Sequence, residues 1–156
     1  MNTRNLSLIA IGLWVITVAV AAWFFVAGNT VSSPDGRQAI VLSADEKNLI
    51  LAEMRTMLGS VQGVVDGIAN KDMKRVAQAA RQSGSAVAAQ VPAGLMGKLP
   101  LGFKQLGHTA HQGFDEIVVG AESGEPGDLM LARLGERLNN CVACHATYRL
   151  EAAAAE

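Results

Sequence analysis

The chain reads as an all-α protein, an up-down-up-down antiparallel four-helix bundle preceded by one transmembrane helix. Three observations carry that reading. The run Leu6–Ala27 contains no charged residue, and at about 1.5 Å per residue it can cross a hydrocarbon core of about 30 Å as a helix. Four later segments repeat apolar residues three and four apart, the spacing of one helical face. The breaks between them are short and hold proline or glycine, and short loops make consecutive helices antiparallel neighbours. No strand and no internal repeat is expected.

Residues 1–28 form the membrane segment, retained as an anchor or left as an uncleaved signal. Both begin with a positive flank such as Met1 with Arg4, but a signal's apolar region runs only about 7–15 residues. Cutting at the small-residue site Ala19-Val20-Ala21 would leave Ala22-Trp23-Phe24-Phe25-Val26 on the new terminus. Trp23, Phe24 and Phe25 fit an aromatic belt at the far interface instead. The positive-inside bias is weak, because Arg37 follows the span as Arg4 precedes it. Residues 29–42, with Ser32-Ser33-Pro34-Asp35-Gly36, have the small, polar composition of a linker.

A helical domain is expected over 43–151, with a tail at 152–156. Its first helix opens on a capping box, Ser43 with Glu46, and turns Ile50, Met54, Met57, Val61, Val64 and Ile68 inward. The second runs from about Asp72 to Gln90, with Met73, Val76, Ala77 and Ala80 inward. A break follows at Val91-Pro92-Ala93-Gly94 and Pro100. The third spans about Leu101 to Ala121, with Phe103, Leu106, Ala110, Phe114, Ile117 and Val118 inward. The fourth begins after Glu122-Ser123-Gly124-Glu125-Pro126-Gly127.

That fourth helix holds the chain's only two cysteines, in Cys141-Val142-Ala143-Cys144-His145. C-x-x-C-H is the attachment pattern of c-type haem. Two thiols add to the two vinyl groups, and the adjoining histidine gives a ring nitrogen to the iron. Three other uses of the residues compete. A thioredoxin-like dithiol needs its first cysteine at a helix N-terminus, where the macrodipole stabilises a thiolate; here the thiols come late in a helix. A structural zinc would have to recruit His108 or His111 as a fourth ligand. A disulfide between residues three apart in one helix closes almost no loop and strains the backbone. At 100° per residue, Leu131, Leu134, Leu138, Cys141, His145 and Tyr148 share one stripe with Cys144 beside it. Sulfurs and imidazole therefore face one way, towards the bundle interior. A porphyrin would also supply the flat apolar surface that a domain with only Phe103, Phe114 and Tyr148 as aromatics lacks.

The C-terminal run Cys141-Val142-Ala143-Cys144-His145-Ala146-Thr147-Tyr148-Arg149 resembles the class II cytochromes c, the cytochrome c′ family. His111-Gln112-Gly113-Phe114-Asp115 is similar to a stretch of the related non-covalent cytochrome b bundles. The resemblance covers about Ser43 to Arg149 and leaves out the membrane span. It implies one covalent haem c, with Cys141 and Cys144 as thioether attachments and His145 as proximal iron ligand. In that family the first bundle helix crosses the distal face. Met54, with Met57 as alternate, is therefore the candidate distal axial ligand, against the ordinary role of methionine as core filler. An imidazole and thioether pair would suit electron transfer; an open face would bind nitric oxide or carbon monoxide.

Tyr148 is expected against the haem edge, and Arg149 or Arg55 near the propionates or in solvent. His108 and His111 are expected as partly exposed polar residues. No nucleophile and base constellation and no phosphate-binding loop is present, so no catalytic residue is expected. A net charge of −1 in a chain that is 50% hydrophobic argues against a nucleic-acid partner. The motif and resemblance imply a membrane-tethered one-electron carrier with a redox partner protein; the alternative is a five-coordinate gas-binding domain. Attachment of haem c on the oxidising side puts the domain outside the cytoplasmic membrane, in a periplasm for a bacterial host. The resemblance also admits a homodimer, for which the small-residue faces of the first two bundle helices are suited.

Overall fold

The computed structural model describes residues 3–153. The positive end at Met1 and residues 154–156 of the expected tail lie outside the described residues. The chain is mostly helical. It begins with α1 (Thr3–Ala27), which has no buried residue and is the one described helix long and apolar enough to cross a membrane. The later helices are α2 (Ala44–Ala69), α3 (Met73–Arg81), α4 (Ser85–Ala88), α5 (Ala93–Lys98), α6 (Leu101–Ser123) and α7 (Gly127–Thr147).

Local chemistry explains the long helices. Ser43 accepts from the Glu46 amide at 3.2 Å while Glu46 accepts from the Ser43 amide at 2.9 Å, so the capping box closes as expected. Asp72 caps α3 through the Arg75 amide. Pro100 and Pro126 precede α6 and α7, and α6 ends on Gly124 in the left-handed conformation. The inward faces of α2, α3 and α6 follow the expected stripes, with Ile50, Val64, Val76, Ala77, Ala80, Ala110, Phe114 and Ile117 buried. On α7 the buried positions are Met130 and Leu134, and Leu131 and Leu138 are exposed, so its inner face is turned from the expected stripe.

The regular four-helix outline is met only in part. α2 packs on α3, α3 on α6 and α6 on α7, with a lighter contact between α2 and α7. The expected second helix is broken, however. The chain turns through Gln82–Gly84, burying Ser83 against Ser60 through a 2.8 Å hydroxyl contact, and resumes as α4. The expected break before Pro100 contains α5.

The all-α expectation also needs correction. Strands β1 (Thr30–Ser32), β2 (Gln38–Leu42) and β3 (Tyr148–Ala152) form a three-stranded sheet in the order β1-β2-β3. β1 and β2 are antiparallel, with Thr30 opposite Ile40; β2 and β3 are parallel, with Gln38 opposite Tyr148 and Leu42 opposite Ala152. The stretch 29–42 is thus a paired hairpin rather than a slack linker, and residue 152 is the last residue of a strand. Pairing to β2 also ends the last helix at Thr147, so Tyr148 stands on a strand and not on the helical stripe.

Two apolar clusters result. One gathers Val64, Val76, Ala80, Phe114, Ile117, Met130 and Leu134, with Met57 and Val61 against it. The other gathers Ile40, Leu42, Ile50, Leu95 and Leu99, with Met54, Phe103 and Tyr148 against it.

Candidate functional site

The last two turns of α7 carry the C-x-x-C-H motif, and the sheet fixes where they end. The turn between β1 and β2 sends Arg37 back to the helix terminus. There its Nη1 donates to the carbonyls of His145 at 3.2 Å and Tyr148 at 3.4 Å, satisfying groups a helix C-terminus leaves unpaired. Asp35 holds that guanidinium in place, accepting from Nε at 2.9 Å and Nη2 at 2.6 Å. The side-chain and backbone hydrogen bonds from Arg37 keep the Asp35 carboxyl well below the usual carboxylate range.

Cys141, Cys144 and His145 all line one cavity of about 400 Å³. A second cavity of about 430 Å³ adjoins it and shares Met54, Met57, Ala110, Cys141 and His145. Together they occupy the gap between the two apolar clusters. The walls are apolar, from Ile50, Val91, Leu99, Phe103 and Leu106 in the first and Leu51, Leu58, Val61, Phe114 and Leu138 in the second. Apolar side chains lining a space of this size lack packing partners on the side that faces it.

The thiols are poor nucleophiles in this setting. Both are half-buried; burial pushes the Cys141 thiol up, and burial with the neighbouring Cys141 pushes Cys144 up to about 11. A dithiol redox centre needs the opposite shift. The two cysteines are not joined. Among the described residues no three His, Cys, Asp or Glu side chains converge to hold a bare metal ion, so the zinc alternative lacks its ligand set. Covalent porphyrin attachment needs neither a thiolate of low pKa nor a fourth donor. It needs two thiols and an imidazole on one wall of an apolar space, and the residues present fit that group.

The other candidate residues divide. Met54 and Met57 both line both cavities. Arg55 lines the second cavity, as does Arg137, which pairs with Glu116 at 2.7 Å. Arg149 lines neither; it donates to Ser33 Oγ at 3.1 Å and pairs with Asp35 and Glu151. Tyr148 also stays out of the cavity walls, its ring edge-on to Phe103 with centroids 5.6 Å apart. His108 is exposed but at the first cavity.

His111 departs most from expectation, being buried rather than partly exposed. Its Nδ1 lies 2.8 Å from the Ser83 carbonyl and its Nε2 lies 3.3 Å from Glu53 Oε1. Burial alone would push the imidazole pKa down, but hydrogen bonds to Glu53 and Ser83, with the charges of Glu53 and Asp115, raise it above its ordinary value. A protonated ring donating from both nitrogens fits this geometry. Glu53, which sequence reasoning did not single out, lines the first cavity beside Met54. Arg37 was likewise unread as a helix cap. Its signal was the Asp35-Gly36 turn dipeptide, which forms hairpins as readily as linkers. Compared with known protein families, curated proteins and solved structures, the chain matches none.

Proposed function

We propose that the chain is a membrane-tethered c-type cytochrome of the class II kind. One haem c is joined through Cys141 and Cys144 with His145 on the iron, and it carries single electrons to or from a membrane or periplasmic redox partner. The observation that carries this reading is the coincidence of motif and cavity. The chain's only two cysteines and the histidine after them line an apolar space, and two methionines share that space. Such a haem supplies a one-electron iron couple whose potential its axial ligands tune.

The residues of the chain do the rest. Ile50, Leu99, Phe103 and Leu106 give the first cavity an apolar wall, and Arg37 fixes the terminus from which His145 projects. Met54, with Met57 as alternate, is the candidate for the iron's second axial position, and Arg55 is the better placed of the two arginines for a propionate. The anchor reading is supported by α1, whose last turn packs against the helical domain through Lys104 and Gly28; cleavage after Ala21 would leave that apolar turn on a free terminus. Attachment of haem c on the oxidising side would put the domain on the outer side of the cytoplasmic membrane.

A second reading is favoured by the second cavity, whose Leu51, Leu58, Val61, Leu134 and Leu138 walls leave room for a diatomic gas on five-coordinate iron. Absorption spectra of the reduced protein with and without carbon monoxide decide between them. The carrier reading predicts a low-spin spectrum that carbon monoxide barely alters, and Met54→Ala turning it high-spin and gas-reactive. Full, rapid gas binding by the unmodified protein would overturn the carrier reading. If Met57→Ala alone produced the change, Met57 would be the ligand.

A further inference from the structure

The end of the membrane span is locked to the helical domain. Gly28 has φ +64, and a Cβ added there would lie 2.5 Å from the Pro100 nitrogen and 2.7 Å from the Lys98 carbonyl oxygen. The Asn29 amide donates to that carbonyl at 2.7 Å. The Asn29 side chain donates to the Val41 carbonyl at 2.8 Å, and the Val41 amide returns a bond to the Asn29 carbonyl at 2.9 Å. Lys104 Nζ donates to the Phe25 carbonyl at 2.9 Å and to that of Met96 at 3.4 Å, and stands 3.7 Å from the centre of the Phe25 ring. These contacts join α1 to α5, α6 and β2 on several sides, so the domain cannot swivel freely on its anchor.

Phe25 belongs to the aromatic end of the apolar run, where a span meets the headgroups. Whatever is bonded to Phe25 sits at that depth, which puts the end of α5 and the first turn of α6 at the bilayer surface. A second observation concerns composition. From Gly84 to Gly97 the chain carries no charged residue, although Ala86, Ala89, Pro92, Ala93, Gly94, Met96 and Gly97 are exposed. A surface stretch of that length without charge is suited to an interface. It adjoins the span and closes with Lys98, whose ammonium is paired with Glu46 at 2.7 Å. Met96, Leu99, Phe103 and Lys104 of the same region also line the cavity that holds both cysteines and His145.

We propose that α5 and the first turn of α6 form a lipid-facing surface seated in the headgroup region, which sets the wall that Met96, Leu99, Phe103 and Lys104 give the cysteine-lined cavity beside the membrane. The partner of this face is the bilayer itself. The inference rests on the retained span proposed above, and not on what fills the cavity.

The test uses the full chain in vesicles of phosphatidylcholine and phosphatidylglycerol. A small environment-sensitive fluorophore is attached at Gly97→Cys, where nothing lies within 4 Å of an added Cβ, and in a second sample at Val119→Cys, an exposed position about 27 Å along α6 from its start. Nitroxide lipid labelled at the headgroup should quench the label at 97 several-fold more than the one at 119, and aqueous iodide should do the reverse. Gly28→Val, which breaks the lock, should erase the difference. If iodide quenches 97 as freely as 119 and lipid nitroxide does not reach it, the proposal is overturned. Met96→Cys gives a second reading of the same surface. The intact mass of the parent chain reports whether Cys141 and Cys144 carry a haem, so failure of the haem assignment is read separately.

Discussion

His111 ties three elements together at one ring. It sits on α6, bonds the carbonyl that follows α3 and reaches Glu53 on α2. Its folded-state pKa is raised above the ordinary 6.5. The stability it contributes is therefore fully present below about pH 6.5 and is lost as pH rises through the folded value. Urea unfolding across that window should show the unmodified protein weakening with rising pH. Glu53→Gln should cost about 1–3 kcal/mol at the acid end, the range for a hydrogen bond to a charged group, and flatten the slope; an unchanged slope would remove the ion pair from the account. None of this was legible from the sequence, because a single histidine on a helix face has no periodic signature and its partners lie 58 and 28 residues away. Cys141, Cys144 and His145 stood out because their motif occupies adjacent positions, and the structure puts all three on one cavity. Arg149 was placed near the haem by its neighbourhood in sequence, whereas the strand it occupies turns it to Ser33, Asp35 and Glu151.

The long elements were read correctly where their determinants are local. Ser43 with Glu46, Pro100, Pro126 and Gly124 act within a turn of the helices they bound, and so α2, α6 and the start of α7 follow from the sequence. The sheet could not be read the same way. β2 pairs in parallel with β3 across the whole helical domain, and a few residues of strand have too little periodicity to announce a partner so distant. The break after α3 depends similarly on burial of Ser83 against Ser60. Small residues also proved to serve the protomer itself. A Cβ at Gly63 would lie 2.7 Å from the Ala79 side chain, and one at Gly67 would lie 2.8 Å from Val76 Cγ2. The glycines thus let α2 approach α3 closely, and this part of the small-residue face is not free for a second copy. Gly63→Leu should force the helices apart and lower stability by about 1–3 kcal/mol in chemical denaturation. A neutral result would mean that α2 and α3 do not depend on this close approach.

At the scale of the molecule, the core is divided in two with an apolar space between, and the motif-bearing helix opens onto that space. A helical domain whose aromatics are Phe103, Phe114 and Tyr148 has little flat apolar surface of its own, which the proposed haem would supply. Cys141→Ser/Cys144→Ser should therefore keep far-ultraviolet helicity but lose sharp thermal unfolding and bind a hydrophobic dye, as loosely packed states do. A doubly substituted chain that melts as cooperatively and as high as the parent would show that the two clusters are stable alone. The junction at Gly28 and Lys104 holds the end of α1 to the helical domain, so the anchor proposed above would orient the domain as well as tether it. The claim beneath all of this is that a haem is bound covalently to α7. Its most direct test is the intact mass and visible spectrum of the full chain, purified from a host able to mature c-type cytochromes. The account predicts a red protein with the mass of the polypeptide plus one haem that survives acid–acetone extraction. A colourless protein with the mass of the polypeptide alone would contradict it.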